Sequence, residues 1–165
     1  MQRHLGSVHR LGIELDLGDW KNDEKVVYWM NDRNVGSPLE HVFTSDLIEI
    51  YDGIVSERGK RTNPRFISAP ADYIAKTLSD ALFDGHHEVV AVDEQWARHY
   101  IDLAGYDLKC FLVEDQSIGR LIAVRRNGQL LEVALRAGEL DDVLVETAAA
   151  LRAAQERPLA PSADT

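Results

Sequence analysis

Leu108-Lys109-Cys110-Phe111-Leu112-Val113-Glu114, then Arg120 to Arg126, then Gln129 to Arg136, with Asn127-Gly128 between the last two: this stretch of the chain decides the fold. Three apolar runs of strand length follow one another with short polar breaks. Asn-Gly between two such runs is the strongest short hairpin signal, because a type I′ turn needs positive φ at both central residues. The stretch therefore reads as a three-stranded antiparallel meander. After it, Leu140, Val143, Leu144, Thr147, Ala148 and Leu151 recur at helical spacing. Glu139, Asp141 and Asp142 occupy the first turn of that helix, where carboxylates favour the helix dipole.

Upstream of the meander, Leu11, Ile13, Leu15 and Leu17 alternate with Glu14 and Asp16, the period of a half-buried strand. Gly18 to Glu24 is turn-like and Lys25 to Met30 is a second strand, so the two form an N-terminal hairpin. Ser37-Pro38-Leu39-Glu40 carries a helix start: serine as cap, proline in the first turn, glutamate reaching back. Leu39, Phe43, Leu47, Ile50 and Ile54 follow at helical spacing up to Gly59, with Asp46-Leu47-Ile48-Glu49 as an alternative restart near Thr44-Ser45. A basic loop runs from Arg58 to Arg65. Ser68 or Asp72 opens a helix carrying Tyr73, Ile74, Leu78, Leu82 and Phe83, closed by Gly85. His87 to Val92 reads as a strand, and Asp93 caps a short helix with Trp96, Tyr100 and Leu103. Strands that come in hairpins, with helices between the groups, give an α+β fold: a mostly antiparallel sheet packed with about four helices. One domain spans 1–156, and the Pro/Ala/Ser-rich segment 157–165 reads as a mobile tail.

Length and composition agree with that. The chain has 165 residues, enough to bury a sizeable core without a covalent staple. A single cysteine, Cys110, excludes an internal disulfide and suits a reducing cytoplasm. No apolar run approaches the roughly 18 residues of a membrane helix, and the N-terminus lacks a signal-peptide core. The formal net charge of −10 argues against a phosphate-backbone binder, so neither nucleic acid nor membrane is expected as a partner. It favours solubility and would steer a basic partner inward.

A search for chemistry finds little. There is no Gly-rich phosphate cradle and no nucleophile elbow. His86-His87-Glu88 is the densest set of metal-ligand types, but adjacent strand residues point to opposite faces, so no metal and no other cofactor is expected. Cys110 lies inside an apolar strand and reads as a small buried hydrophobe rather than a nucleophile. The Arg58–Arg65 loop reads as a solvated connector or a partner for the protein's own carboxylates. Among the aromatics Trp20, Tyr28, Trp29 and Trp96, core packing is the default, and an exposed tryptophan would be an interface candidate.

What remains is acidity in patches. Asp46, Glu49 and Asp52 recur opposite the apolar stripe of their helix, and Glu139, Asp141, Asp142 and Glu146 mark the last one. Glu14, Asp16, Asp19, Asp23 and Glu24 crowd the first hairpin. Acidic faces with no catalytic set suit a protein that docks onto something basic. In overall character the chain resembles the immunity proteins of bacterial contact-dependent growth inhibition and related polymorphic toxin systems. These are small, often acidic proteins that bind and block one toxin domain, frequently a nuclease. The resemblance spans the chain, is one of type, and carries over no functional residue. It implies a non-enzymatic binder that blocks a toxin domain in the cytoplasm. The acidic patches themselves make that toxin domain a basic one and offer Asp46, Glu49 and Asp52 as the first face and Glu139, Asp141 and Asp142 as the second. The alternatives are a small enzyme using His86, His87, Cys110 and a carboxylate, or a regulatory subunit. Oligomeric state is not legible.

Overall fold

The alternation of Leu11 through Leu17 does place four leucines and isoleucines inward, all within 2% of complete burial, while Asp16 faces out. A computed structural model of the protein describes residues 2–17, 24–40, 43–83, 94–103 and 108–156. The first sheet is a four-stranded antiparallel meander of β1 (Gln2–Ser7), β2 (Leu11–Leu17), β3 (Glu24–Met30) and β4 (Arg33–Glu40). The second is another meander, of β5 (Tyr100–Ile101), β6 (Leu108–Glu114), β7 (Ile118–Arg125) and β8 (Leu130–Arg136). Helices α1 (Thr44–Ser56) and α5 (Glu139–Gln155) pack on one another and share one core with both sheets. The short α2 (Pro64–Ile67) and α3 (Ala71–Leu82) cover the opposite face of the second sheet through Phe66, Ile74 and Leu78, which meet Phe111, Val113 and Ile122. The second sheet is therefore buried on both faces, which explains the unbroken apolar run of β6. The α+β class stands, with one hairpin extended to four strands and the meander joined by a fourth.

Four local expectations are corrected. Ser37-Pro38-Leu39-Glu40 belongs to strand β4, not to a helix. Asn31 and Asp32 both adopt positive φ (49° and 61°), reversing the chain in two residues, and their N–H groups donate to the carbonyls of Arg10 and Val8. That turn sets Met30 opposite Arg33, and after a bulge Val26 opposite Leu39 and Lys25 opposite Glu40. Pairing along β3 outweighs the local capping signal, and Pro38 is tolerated because β4 is an edge strand. The helix starts at Thr44, at the alternative restart, and leaves Phe43 60% exposed.

The first segment, Gln2–Ser7, was not expected as a strand; it pairs with β2 along its whole length. The helix expected to carry Trp96, Tyr100 and Leu103 is a single turn, α4 (Glu94–Ala97), because Tyr100 and Ile101 instead pair with Phe111 and Cys110. In the Asn127-Gly128 hairpin, Gly128 alone has positive φ (81°). The Gly128 N–H donates to Arg125 O and the Arg125 N–H to Gln129 O, a three-residue loop with a glycine bulge rather than a type I′ turn. The strand expected over His87 to Val92, Gly85, and the tail from 157 lie outside the described residues.

Candidate partner-binding face

Helix α1 is held in one rotation by its buried side. Leu47, Tyr51 and Ile54 enter the shared core, and the Tyr51 hydroxyl hydrogen-bonds the Tyr28 hydroxyl at 2.5 Å. Burial pushes both phenols above their ordinary range, so they stay neutral donors and acceptors. This leaves Asp46, Glu49 and Asp52 exposed, as the spacing predicted. Asp52 is engaged by Arg152 of α5, an ion pair that ties the two helices together. Asp46 and Glu49 have no ion-pair partner among the described residues. Asp46 sits in the first turn, where the helix dipole favours it. Phe43, one turn before Asp46, adds an exposed aromatic ring to the same end of the helix.

The acids of α5 are placed differently. Asp141 is fully buried and Glu139 nearly so. The Arg61 guanidinium, itself buried, lies 3.0 Å from Asp141 and 3.7 Å from Glu114, and donates to the carbonyl of Ile54. Glu114 accepts the N–H of Gly138 at 2.8 Å, closing the network over the start of α5. Glu139 pairs with Arg10 at 2.7 Å and accepts the Arg136 N–H at 2.8 Å. Asp142 pairs with Arg58 at 2.8 Å. Burial pushes the Asp141 carboxyl up, and the opposing pull of Arg61 does not overtake it. The basic loop thus spends Arg58 and Arg61 on the protein's own carboxylates. Of the second expected face, Asp141 is out of reach of any partner, because it is enclosed by the protein itself.

The remaining candidates are dispersed. Tyr28 is in the core, Trp29 is half-buried on the outer face of the first sheet with its indole N–H 3.2 Å from Glu14, and Trp96 packs edge-on against Phe66 at 5.6 Å. Trp20, Asp19, Asp23, His86 and His87 lie outside the described residues. Cys110 is buried, with its thiol pushed far up by desolvation, which leaves no thiolate to act as nucleophile. His99 is buried between Leu112 and Arg61. Its Nδ1 is 2.8 Å from the Leu112 carbonyl, which only accepts, so Nδ1 carries the proton. Burial holds its pKa below the ordinary value. Among the described residues no group of three or more His, Cys, Asp or Glu is arranged to hold a metal, and no helix is long and apolar enough to cross a membrane.

A family model described as immunity protein 42 matches residues 4–149. The chain belongs to the immunity protein 42 family. It is an immunity protein, and its function is to neutralise a toxin. None of the curated proteins matches it. Its fold is similar to that of CdiI from Burkholderia dolosa in a crystal structure, with a TM-score of 0.70 and 16% identity, over 90% of this chain and 99% of that one. Phe43 escaped the sequence reading because it fits the apolar period of the helix; its exposure follows from the helix beginning one residue later, at Thr44.

Proposed function

We propose that this immunity protein acts by stoichiometric blockade, without catalysis, in the cytoplasm of the cell it protects. Its partner is a basic toxin domain of a contact-dependent growth inhibition system, and it docks through the outward face of α1. The observation that carries the reading is the contrast in charge pairing. Among the described residues, Asp46 and Glu49 stand without cations, with the exposed ring of Phe43 at the same end of the helix, whereas the equally acidic start of α5 is neutralised from within. An aromatic anchor beside unpaired charge is the anatomy of a binding hot spot: the ring supplies residence time and the carboxylates speed encounter. The net charge of −10 suits a nuclease toxin, whose substrate site is itself basic. The fold shared with CdiI supports the choice of toxin system.

The test is a binding titration against the toxin domain encoded beside this gene, at low and high salt. Joint replacement Asp46→Lys and Glu49→Lys should slow association at least tenfold at low salt and flatten its salt dependence. The same double variant should keep its stability within about 0.5 kcal/mol, since both residues are exposed. Asp52 is left intact, because its reversal would also break the link to Arg152. No binding by the unaltered protein would end the blockade reading. Binding that ignores the double variant would move the face elsewhere.

A further inference from the structure

The loop after α1 carries four cations, Arg58, Lys60, Arg61 and Arg65, and the fold uses three of them. Arg58 pairs with Asp142, Lys60 with Glu57 and Arg61 with Asp141. Arg65 is left over. It is exposed, and among the described residues its guanidinium makes no ion pair and no hydrogen bond. Only its main-chain N–H is engaged, by the Asn63 side chain at 3.0 Å. In a chain of net charge −10, a cation that none of its own carboxylates meets is a donor without an internal use.

Arg65 does not stand on open surface. It lines a cavity of about 380 Å³ formed by the start of α2, one flank of α3 and Trp96 of α4. Tyr73 and Thr77, four residues apart, share that flank, because Ile74 and Leu78 turn the neighbouring row of α3 onto the second sheet. Tyr73 is 57% exposed, and neither hydroxyl has a hydrogen-bond partner among the described residues. Buried Phe66 and half-buried Trp96, edge-on at 5.6 Å, give the cavity an apolar wall. Among the described residues no carboxylate lines it. The cavity thus sets three unused donors beside an apolar wall and holds no charged acceptor.

We infer that this cavity receives an aspartate or glutamate side chain of the toxin domain. Its carboxylate accepts from the Arg65 guanidinium, whose planar fork matches it, and from the Tyr73 and Thr77 hydroxyls. Its aliphatic stem lies against Trp96. A nucleic-acid phosphate would meet the same donors, but it has no stem for the wall, and the net charge of −10 repels a phosphate backbone. The identity of the partner rests on the blockade reading proposed above; the contact is separate from the α1 face and opposite to it in sign. Two contacts of opposite charge fix the orientation of docking, because a toxin turned end for end would set like charges against each other.

The test uses the toxin domain encoded beside this gene. Arg65→Glu should leave the melting temperature within about 2 °C, since the side chain holds nothing in the free protein, and should weaken binding about tenfold or more. Arg126→Glu, the same change of charge at an exposed arginine before the Asn127-Gly128 turn, should weaken it less than about threefold. Arg65→Lys keeps the cation, loses the fork and brings a primary amine to the cavity. Treated with a carbodiimide in the complex, that variant should form an amide between the new amine and one aspartate or glutamate of the toxin, located by mass spectrometry of the digested complex. Arg65→Glu binding as tightly as the parent, or equal losses at Arg65 and Arg126, would overturn the cavity and leave the α1 face standing. A cross-link from position 65 to a second copy of this chain, or none to the toxin, would overturn it as well. No binding by the unaltered protein would overturn the blockade reading itself, and this contact with it.

Discussion

The acids at the start of α5 and those along α1 look alike in sequence, and the folded protein treats them in opposite ways. Around α5, Arg10 from the first hairpin and Arg58 and Arg61 from the loop after α1 neutralise Glu139, Asp142 and Asp141 in turn. Along α1, among the described residues, only Asp52 is met, by Arg152. A cluster of carboxylates is therefore a structural joint where the fold brings cations to it, and a solvent-facing stripe where it does not. Composition and spacing do not separate the two cases; long-range pairing does.

The α5 joint should fail most severely at its centre. Arg61→Ala leaves Asp141 enclosed without its cation and should cost about 3–5 kcal/mol in chemical denaturation. Adding Asp141→Asn, which removes the stranded charge, should recover part of that loss. A cost below about 1 kcal/mol would mean that the joint is no more structural than the α1 stripe, and the contrast would collapse.

A smaller break is available at the mouth of the same joint. Gly138 caps α5 with φ of 75°, and a Cβ there would fall 2.6 Å from Arg58 Nη2, the atom that pairs with Asp142. Gly138→Ala should destabilise by about 1–2 kcal/mol through left-handed strain and displacement of Arg58. Combining it with Arg58→Ala should relieve the steric part and keep the strain, which a double-mutant cycle reads directly.

The weakest probe is pH. His99 is held neutral in the fold by burial, beside Arg61, so its folded pKa lies below that of the unfolded chain, about 6.5. Above that value both states are neutral and His99 adds no pH dependence. As pH falls below it, the unfolded chain takes up a proton that the folded one refuses, and stability is lost by at most about 1.4 kcal/mol per pH unit. His99→Gln should therefore show a shallower decline in melting temperature between pH 6.5 and 5 than the parent. An equal slope in both would remove His99 from the account of the joint's surroundings.

These differences also mark what the sequence made legible. Strands β2, β3, β6, β7 and β8 could be read because their side chains carry the alternation or the apolar run of a sheet interior. Strands β1, β4 and β5 could not: each is an edge strand without a clear apolar period of its own, unlike the edge strand β8, so its identity lies in the neighbour it pairs with. Ser37-Pro38-Leu39-Glu40 has the local chemistry of a helix start and was overruled by pairing with β3. The signal that would have corrected it was Asn31-Asp32, a dipeptide of residue types that tolerate positive φ. For the site, the acidic residues were visible and their neutralisation was not, since Arg61 and Asp141 lie 80 residues apart.

Pro38 has an effect beyond its own strand. It supplies no N–H, and a bulge breaks the register of β4 against β3 nearby. The β4 edge of the first sheet is therefore an interrupted template for strand addition, and the β5 edge of the second sheet extends over only two residues. A protein that must stay dispersed until one particular partner arrives gains from these two edges, which offer copies of itself so little to pair with.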